Sequence, residues 1–353
     1  MSYEPKGVEV AVSDITHRAG ELGENWMIGF LMVNCVTESF LHIGSGRLKL
    51  KIKSEVKLPT SFYRLLDLVK RRPDIVQYDY SEVVRYLDTI CIPGSTIKGA
   101  CRARIELLAT SKDRSVHFCF RQATSPPQRP PLESQHGWRH FKLWSPATWE
   151  IRDSCNLTRR AVSEACTTCD LFGAPGLASK VYFGNLLPVS GVEVIEVELD
   201  YGEKIELVPP KTIFRGKITF KYLQPHELGL LMIGLGAKLN GRFQPVVIGK
   251  SKYRARRVTK CPANPSIEGK SILLGRVRFS IERLSLIKVS DAVDKEIEKL
   301  PCKFSIQGNL ATCTGDEVKK LVAHLVNLAA SKFPELRVDF NEVEFLEARV
   351  WGG

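Results

Sequence analysis

The order of elements in this chain predicts an α+β fold of the ferredoxin-like, split βαβ kind, with an insertion and a further C-terminal α+β segment. Three observations predict it: an apolar strand pattern at 26–43, a helix pattern opening at Pro93-Gly94-Ser95, and a run of strands, helix and strand between 180 and 248. With 353 residues and 44% hydrophobic content, the chain has material for one large or two modest cores. Disordered and collagen-like classes are thereby excluded.

Residues 26–43, WMIGFLMVNCVTESFLHI, combine branched and aromatic side chains with partial alternation, the pattern of a strand ending at the Gly44-Ser45-Gly46 turn. Arg47, Lys49, Lys51 and Lys53 then alternate with Leu48, Leu50 and Ile52. One face of the next strand is therefore basic, a pattern that a solvated edge strand also produces. In CIPGSTIKGACRARIELLA (91–109) the Pro-Gly-Ser turn supplies a cap, and Ile97, Cys101, Ile105 and Leu108 recur at helical spacing. Lys98 and Arg102 lie four apart on another face near the helix N-terminus, where free N–H groups favour a phosphate; two solvated charges read the same way.

Residues 121–137, RQATSPPQRPPLESQHG, have four prolines and no apolar period, so they predict a loop inside a domain. Trp138, Trp144 and Trp149 follow, suited to base stacking, to partner docking or to packing the insertion on the core. Residues 180–187 and 192–223 predict strands, with a hairpin turn at Asp200-Tyr201-Gly202. Pro225 opens a helix that Asn240-Gly241 ends, and QPVVIG predicts a short strand. Beyond residue 270 come a strand pattern, RVRFSIERLSLIKV, and a helix near Asp316–Ser331. The expected division is a domain over 1–270, with its insertion at about 110–170, and a C-terminal extension over 271–353.

Charge points to a polyanionic partner. Lys+Arg 51 against Asp+Glu 39 gives +12, and residues 291–353 hold eight basic and eleven acidic side chains, which leaves +15 for residues 1–290. Nucleic acid fits such a field, because each phosphate neutralised releases counterions. The longest apolar stretch, around Leu228–Leu235, is far short of the roughly 20 residues that cross a bilayer, and MSYEPKG has no signal-peptide pattern. A cytoplasmic protein with no membrane partner is expected. Ten cysteines in a chain of this length fit a reducing compartment, where thiols pack or bind metal.

Phosphate-loop, dinucleotide, G-x-S-x-G and H-E-x-x-H patterns are absent from the sequence, so nucleotide hydrolysis, hydride transfer and familiar hydrolase mechanisms lack support. Cys166-Thr-Thr-Cys169 has the spacing that lets two thiolates reach one tetrahedral zinc. His117 and Cys119, as H-x-C on a strand, would face one side and complete a structural Cys₃His site; Cys155, His136 and His140 are substitutes, and reduced free cysteines are the alternative to zinc. Glycine-bearing segments at 92–100, 171–176 and 234–241 would let a phosphate backbone approach, with Lys98, Arg102, Lys238 and Arg242 supplying charge. Lys250, Lys252, Arg254, Arg256, Arg257 and Lys260, with Tyr253 interleaved, have the composition of a single-strand binding track or of a solvated basic loop.

LHIGSG, IPGSTIKGACR, CDLFGAPGLASKVYFGN, VPPKTIF and GLGAKLNGRF, in that order over roughly residues 40–250, resemble the successive motifs of the CRISPR-associated RAMP superfamily. The resemblance is strongest to the backbone subunits of type III guide-RNA effector complexes. It implies a ferredoxin-like, RNA-recognition-like palm that binds the guide RNA backbone, with contacts at His42, Ser95, Lys98, Arg102 and the 234–242 loop, including Gly234, Gly236, Lys238, Gly241 and Arg242. Lys250, Lys252, Tyr253 and Arg254 extend that track. It also implies zinc near the CxxC region, guide and target RNA as partners, and other subunits of a multi-subunit antiviral ribonucleoprotein. Members that cut target RNA have an aspartate after the motif corresponding to LHIGSG; here Arg47-Leu48-Lys49 stand there, and Gln244 replaces a glycine often found after the loop aromatic. The segment between Val192 and Pro209 is also short for a base-prying hairpin. These departures favour a non-catalytic subunit. The alternative is an endoribonuclease of the same superfamily, cutting target RNA or processing guides, with His42 as general acid or base and Lys98 stabilising the phosphorane.

Overall fold

Alternation sets the central strand. Met27–Thr37 (β1) buries every second residue, so one face belongs to the core and the other is open. It is followed by Gly44–Ile52 (β2), Phe62–Arg71 (α1), Val76–Val83 (β3), Gly94–Leu108 (α2), Thr167–Phe172 (α3), Val181–Phe183 (β4), Ile195–Leu199 (β5), Lys204–Leu207 (β6) and Ile213–Leu223 (β7). Pro225–Gly234 (α4), Val246–Val247 (β8), Ala255–Lys260 (β9), Ser271–Leu273 (β10), Arg276–Ile287 (β11), Asp291–Lys299 (α5), Ser305–Gln307 (β12), Leu310–Thr314 (β13), Asp316–Lys332 (α6) and Glu342–Trp351 (α7) complete the main elements. This computed structural model describes residues 6–15, 26–52, 56–109, 115–119, 148–150, 155, 158 and 164–351. The expected loop at 121–137, Trp138, Trp144, His136 and His140 lie outside the described residues.

The protein is a mixed α+β fold with two large sheets. One runs β4-β7-β1-β11-β13-β12, with β8 added on β11 and Leu187–Pro188 on β7; the other runs β10-β9-β5-β6-β3-β2. β1 pairs antiparallel with both β7 and β11. The inner face of the first sheet, with Leu31, Val33, Phe214, Ile218, Phe279 and Leu284, meets α2, α4 and α6 in one apolar cluster. β5 and β6 form the hairpin expected around Asp200-Tyr201-Gly202, where Tyr201 takes a positive φ of 63°.

The helices follow their sequence signals with one correction. Ile97, Cys101, Ile105 and Leu108 of α2 are all buried, as their spacing requires. Pro225 opens α4, and Gln224 and Glu227 cap it reciprocally. The helix ends at Gly234, however, not at Asn240-Gly241, because Gly236 takes φ +102° and turns the chain back. At the base of α4, the fully buried Lys180 ammonium lies 2.5 Å from Asp170 Oδ2 and 2.8 Å from Glu227 Oε1, tying α3, the approach to β4 and α4 together. Burial raises the Glu227 pKa, and the Lys180 charge opposes that rise.

The segment beyond residue 270 joins the first sheet: β11 pairs along β1 from Thr37 to Gly29 and lies inside it. The expectation that the cysteines fit a reducing compartment is corrected in one place, because Cys302, just before β12, and Cys313 of β13 form a disulfide. No described helix is long and apolar enough to cross a membrane.

Candidate metal centre and nucleic-acid interface

Four buried cysteines converge. Cys119 follows the short strand Ser115–Val116, Cys155 comes from the insertion, Cys166 caps α3, and Cys169 sits in its first turn. Their sulfurs all lie within 4.8 Å of one another, with Cys119 Sγ 3.2 Å from Cys166 Sγ and 3.7 Å from Cys169 Sγ. Four sulfurs at about 2.3 Å from one tetrahedral ion are themselves about 3.8 Å apart, so this donor set fits a metal ion held by four thiolates. All four are nearly inaccessible, which leaves no open coordination position and marks the site as structural. The Cys166 and Cys169 amides donate to Cys155 Sγ and Cys166 Sγ. Hydrogen bonds from Cys119, Cys155 and Cys166 hold the Cys169 thiol far below its ordinary range, and the Arg102 charge acts in the same direction.

His117 is not part of this set. The strand stops at Val116 and the chain bends, so His117 and Cys119 do not alternate to one side as H-x-C on a strand would. The imidazole instead places Nδ1 2.7 Å from Glu335 Oε1 and packs edge-on against Phe333. Cys155 fills the fourth place, although its distance of eleven residues from Cys166 gives no spacing signal of its own.

Residues expected on the RNA track divide sharply. Ser95 and Gly99 are exposed and Lys98 half-buried along the first turns of α2. Partial burial, helped by the nearby Arg102 charge, lowers the Lys98 pKa. The Gly94 amide is already capped by Asn185 Oδ1 at 3.1 Å. Arg102 is turned inward: Nη2 donates to Cys169 Sγ at 2.9 Å, Nη1 to the Gly173 carbonyl at 2.9 Å, and Nε to Glu106 at 3.1 Å. Its place is the outer shell of the cysteine centre. His42 is fully buried, with Nδ1 2.7 Å from the Glu206 carbonyl and Nε2 3.5 Å from Ser81 Oγ. Burial lowers its pKa, and both ring nitrogens face protein atoms rather than solvent.

The glycine loop is built for close packing. A Cβ on Gly234 would meet Cys101 of α2, one on Gly236 would meet Gln244, and one on Gly241, at φ +75°, would come within 2.3 Å of the Lys319 carbonyl of α6. These three glycines are buried and serve the fold, whereas Arg242 is exposed and Lys238 half-buried at the loop tip. Lys238 and Arg242 line a cavity of about 610 Å³ with Gln244, Arg276 and Arg278. Gln244, the departure from glycine, is buried and donates to the Phe340 carbonyl at 3.1 Å, so it docks the C-terminal segment. Along the basic track, Lys250 pairs with Glu203, Lys252 lies over the Tyr253 ring, and Arg254 is exposed. Arg256 is buried against Asp200 and Glu203.

No curated protein matches the chain. Among solved structures, a chain of one titled "Type IV-B CRISPR Complex" is similar at 12% identity, covering 71% of this chain and 90% of that chain with a TM-score of 0.32. The family model described as RAMP superfamily matches residues 34–227, which hold the end of β1, α2, the cysteine pair at α3, β7 and the start of α4. With more than half of its residues inside that match, the chain belongs to the RAMP superfamily.

Proposed function

We propose that this protein is a non-catalytic, guide-RNA-binding structural subunit of a type III CRISPR interference complex, working in the cytoplasm with guide RNA, target RNA and neighbouring subunits in antiviral defence. The observation that carries the reading is the family match over residues 34–227, within which α2 presents Ser95 and Lys98 at its N-terminal end. A ferredoxin-like palm is supported by the antiparallel order β4-β7-β1-β11, with α2 following β1 and α4 following β7. The proposed contacts are Ser95, Lys98, Lys238, Arg242, Lys252 and Arg254, which hold phosphates while guide–target pairing reads sequence. Zinc in the four-cysteine centre fixes α3 and the insertion against α2. The enclosed His42 supports the non-catalytic part of the reading.

The test is native mass spectrometry of the assembly purified under conditions that retain RNA and metal, with sequencing of the RNA and a cleavage assay with and without Mg²⁺. The expected result is a defined guide, partner subunits, one zinc in this subunit, and no cleavage that depends on it. A purified assembly without RNA, or RNA cleavage abolished by a substitution in this chain, overturns the reading.

A further inference from the structure

The helices cover one face of the first sheet, and the alternation of β1 turns the other rows outward. Across that outward face, Tyr182 of β4 stands opposite Thr219 of β7, which stands opposite Phe30 of β1. One row further along, Lys217 of β7 and Arg283 of β11 flank Met32 on either side. The cations lean onto the aromatic: Lys217 Nζ is 4.1 Å and Arg283 Cζ 5.6 Å from the Phe30 ring centre. Lys221 Nζ lies 5.6 Å from the Tyr182 ring centre, and that tyrosine is 48% exposed.

Charge on this face is one-sided. Strands β1, β7 and β11 carry one acid there, Glu282, which pairs with Arg215, and just past β1 Glu38 pairs with Arg278. Among the described residues, no carboxylate pairs with Lys217, Lys221 or Arg283. Two aromatic rings two strands apart, roughly 10 Å by strand spacing, with three uncompensated cations around them, form a stacking platform inside a positive field. An apolar protein anchor would leave those cations desolvated and unpaired, whereas a single strand supplies a base for each ring and a phosphate for each cation.

We infer that the open face of the sheet, centred on Phe30, Lys217 and Arg283, binds single-stranded RNA by base stacking and phosphate contacts, separately from the α2 and glycine-loop side. This rests on the RNA-binding reading above only for the choice of polymer. Lys217 and Arg283 swing from over the Phe30 ring to phosphates as a base takes the ring face, so the existing cation–π contacts hold the platform ordered before RNA arrives.

The test measures binding of the full chain to a fluorescent oligouridylate across a salt series. Phe30→Leu with Tyr182→Leu keeps apolar bulk and removes both rings; affinity is expected to fall about tenfold or more with the salt slope unchanged. Lys217→Gln with Arg283→Gln touches only the sheet surface and is expected to reduce the slope by about 1.4, at about 0.7 for each phosphate no longer neutralised. Lys98→Ala with Lys238→Ala reports on the other side. Wild-type affinity and slope in both sheet variants overturn the inference, and if the loop variant alone loses binding the guide-RNA reading still stands. Weakened binding in the sheet variants while the loop variant binds normally supports the platform whatever becomes of that reading.

Discussion

Lys98 stands at the solvent-facing end of α2, while Arg102 and Arg104, within the same seven residues, are turned into the protein. In sequence the three cations read alike. Arg102 reaches Cys169 and Gly173, and Arg104 donates to the Ile233 carbonyl and lies 3.5 Å from Glu342, 238 residues away. A cation is committed to the fold when distant segments bring it an acceptor that is itself buried; it remains available to a partner when they do not. The first half of α2 therefore keeps its cation at the surface, and the second half commits its own to the interior.

Arg104→Ala is the strongest way to break that contrast. Both members of the Arg104–Glu342 pair are almost wholly buried, at 2% and 1% side-chain exposure, so removing the guanidinium takes one cation away from a buried carboxylate. A loss of about 3–5 kcal/mol is expected in urea denaturation. Replacing both residues, Arg104→Met with Glu342→Leu, should recover most of it, because neither member of the pair is then buried without the other. If the single variant were as stable as wild type, Arg104 would belong with Lys98 on the available side of the comparison.

Arg102 gives the next largest effect and bears on the metal. Its Nη2 donates to Cys169 Sγ, the position from which it would orient that sulfur as a metal ligand and offset its charge. Arg102→Ala is expected to lower zinc affinity by about 10–100-fold in chelator competition, and Arg102→Lys, which keeps charge without the forked geometry, should lose less. Unchanged zinc affinity combined with weakened RNA binding would return Arg102 to the role its position in the sequence suggested.

Much of the fold was legible because its signals are local. The alternation of β1, the stripe of α2, the proline and capping pair of α4 and the β5–β6 turn each lie within a dozen residues and need no distant information. The site was legible only in part. Cys166 and Cys169 announce themselves by spacing, and Cys119 lies near them, but Cys155 joins through a tertiary approach with no fixed interval, and His117 falls outside the set because the strand ends at Val116, three residues before Cys119. Gly234, Gly236 and Gly241 have the composition of a phosphate-approach loop, yet the close approaches they permit are to Cys101, Gln244 and Lys319. The Phe30 platform is invisible until pairing registers set Lys217 and Arg283 beside one ring. Burial of His42 likewise arises from Glu206 and Ser81, far away in sequence.

Lys98→Ala gives the smallest expected effect and the sharpest test of the contrast, because its two consequences have opposite signs. Lys98 and Arg102 are like charges four residues apart on one helix, and Lys98 loses basicity through partial burial and that neighbour. Removing the ammonium relieves the repulsion and installs the best helix former, so the free protein should gain about 0.2–0.5 kcal/mol in thermal or urea unfolding. RNA affinity should fall a few-fold, and the salt slope should drop by about 0.7, irrespective of RNA sequence. A cation that served the fold would lose stability, as Arg104 should. A cation held for a phosphate costs stability in the unbound protein and returns it on binding, so a variant that became less stable while binding RNA as before would place Lys98 with the interior arginines and dissolve the division of α2.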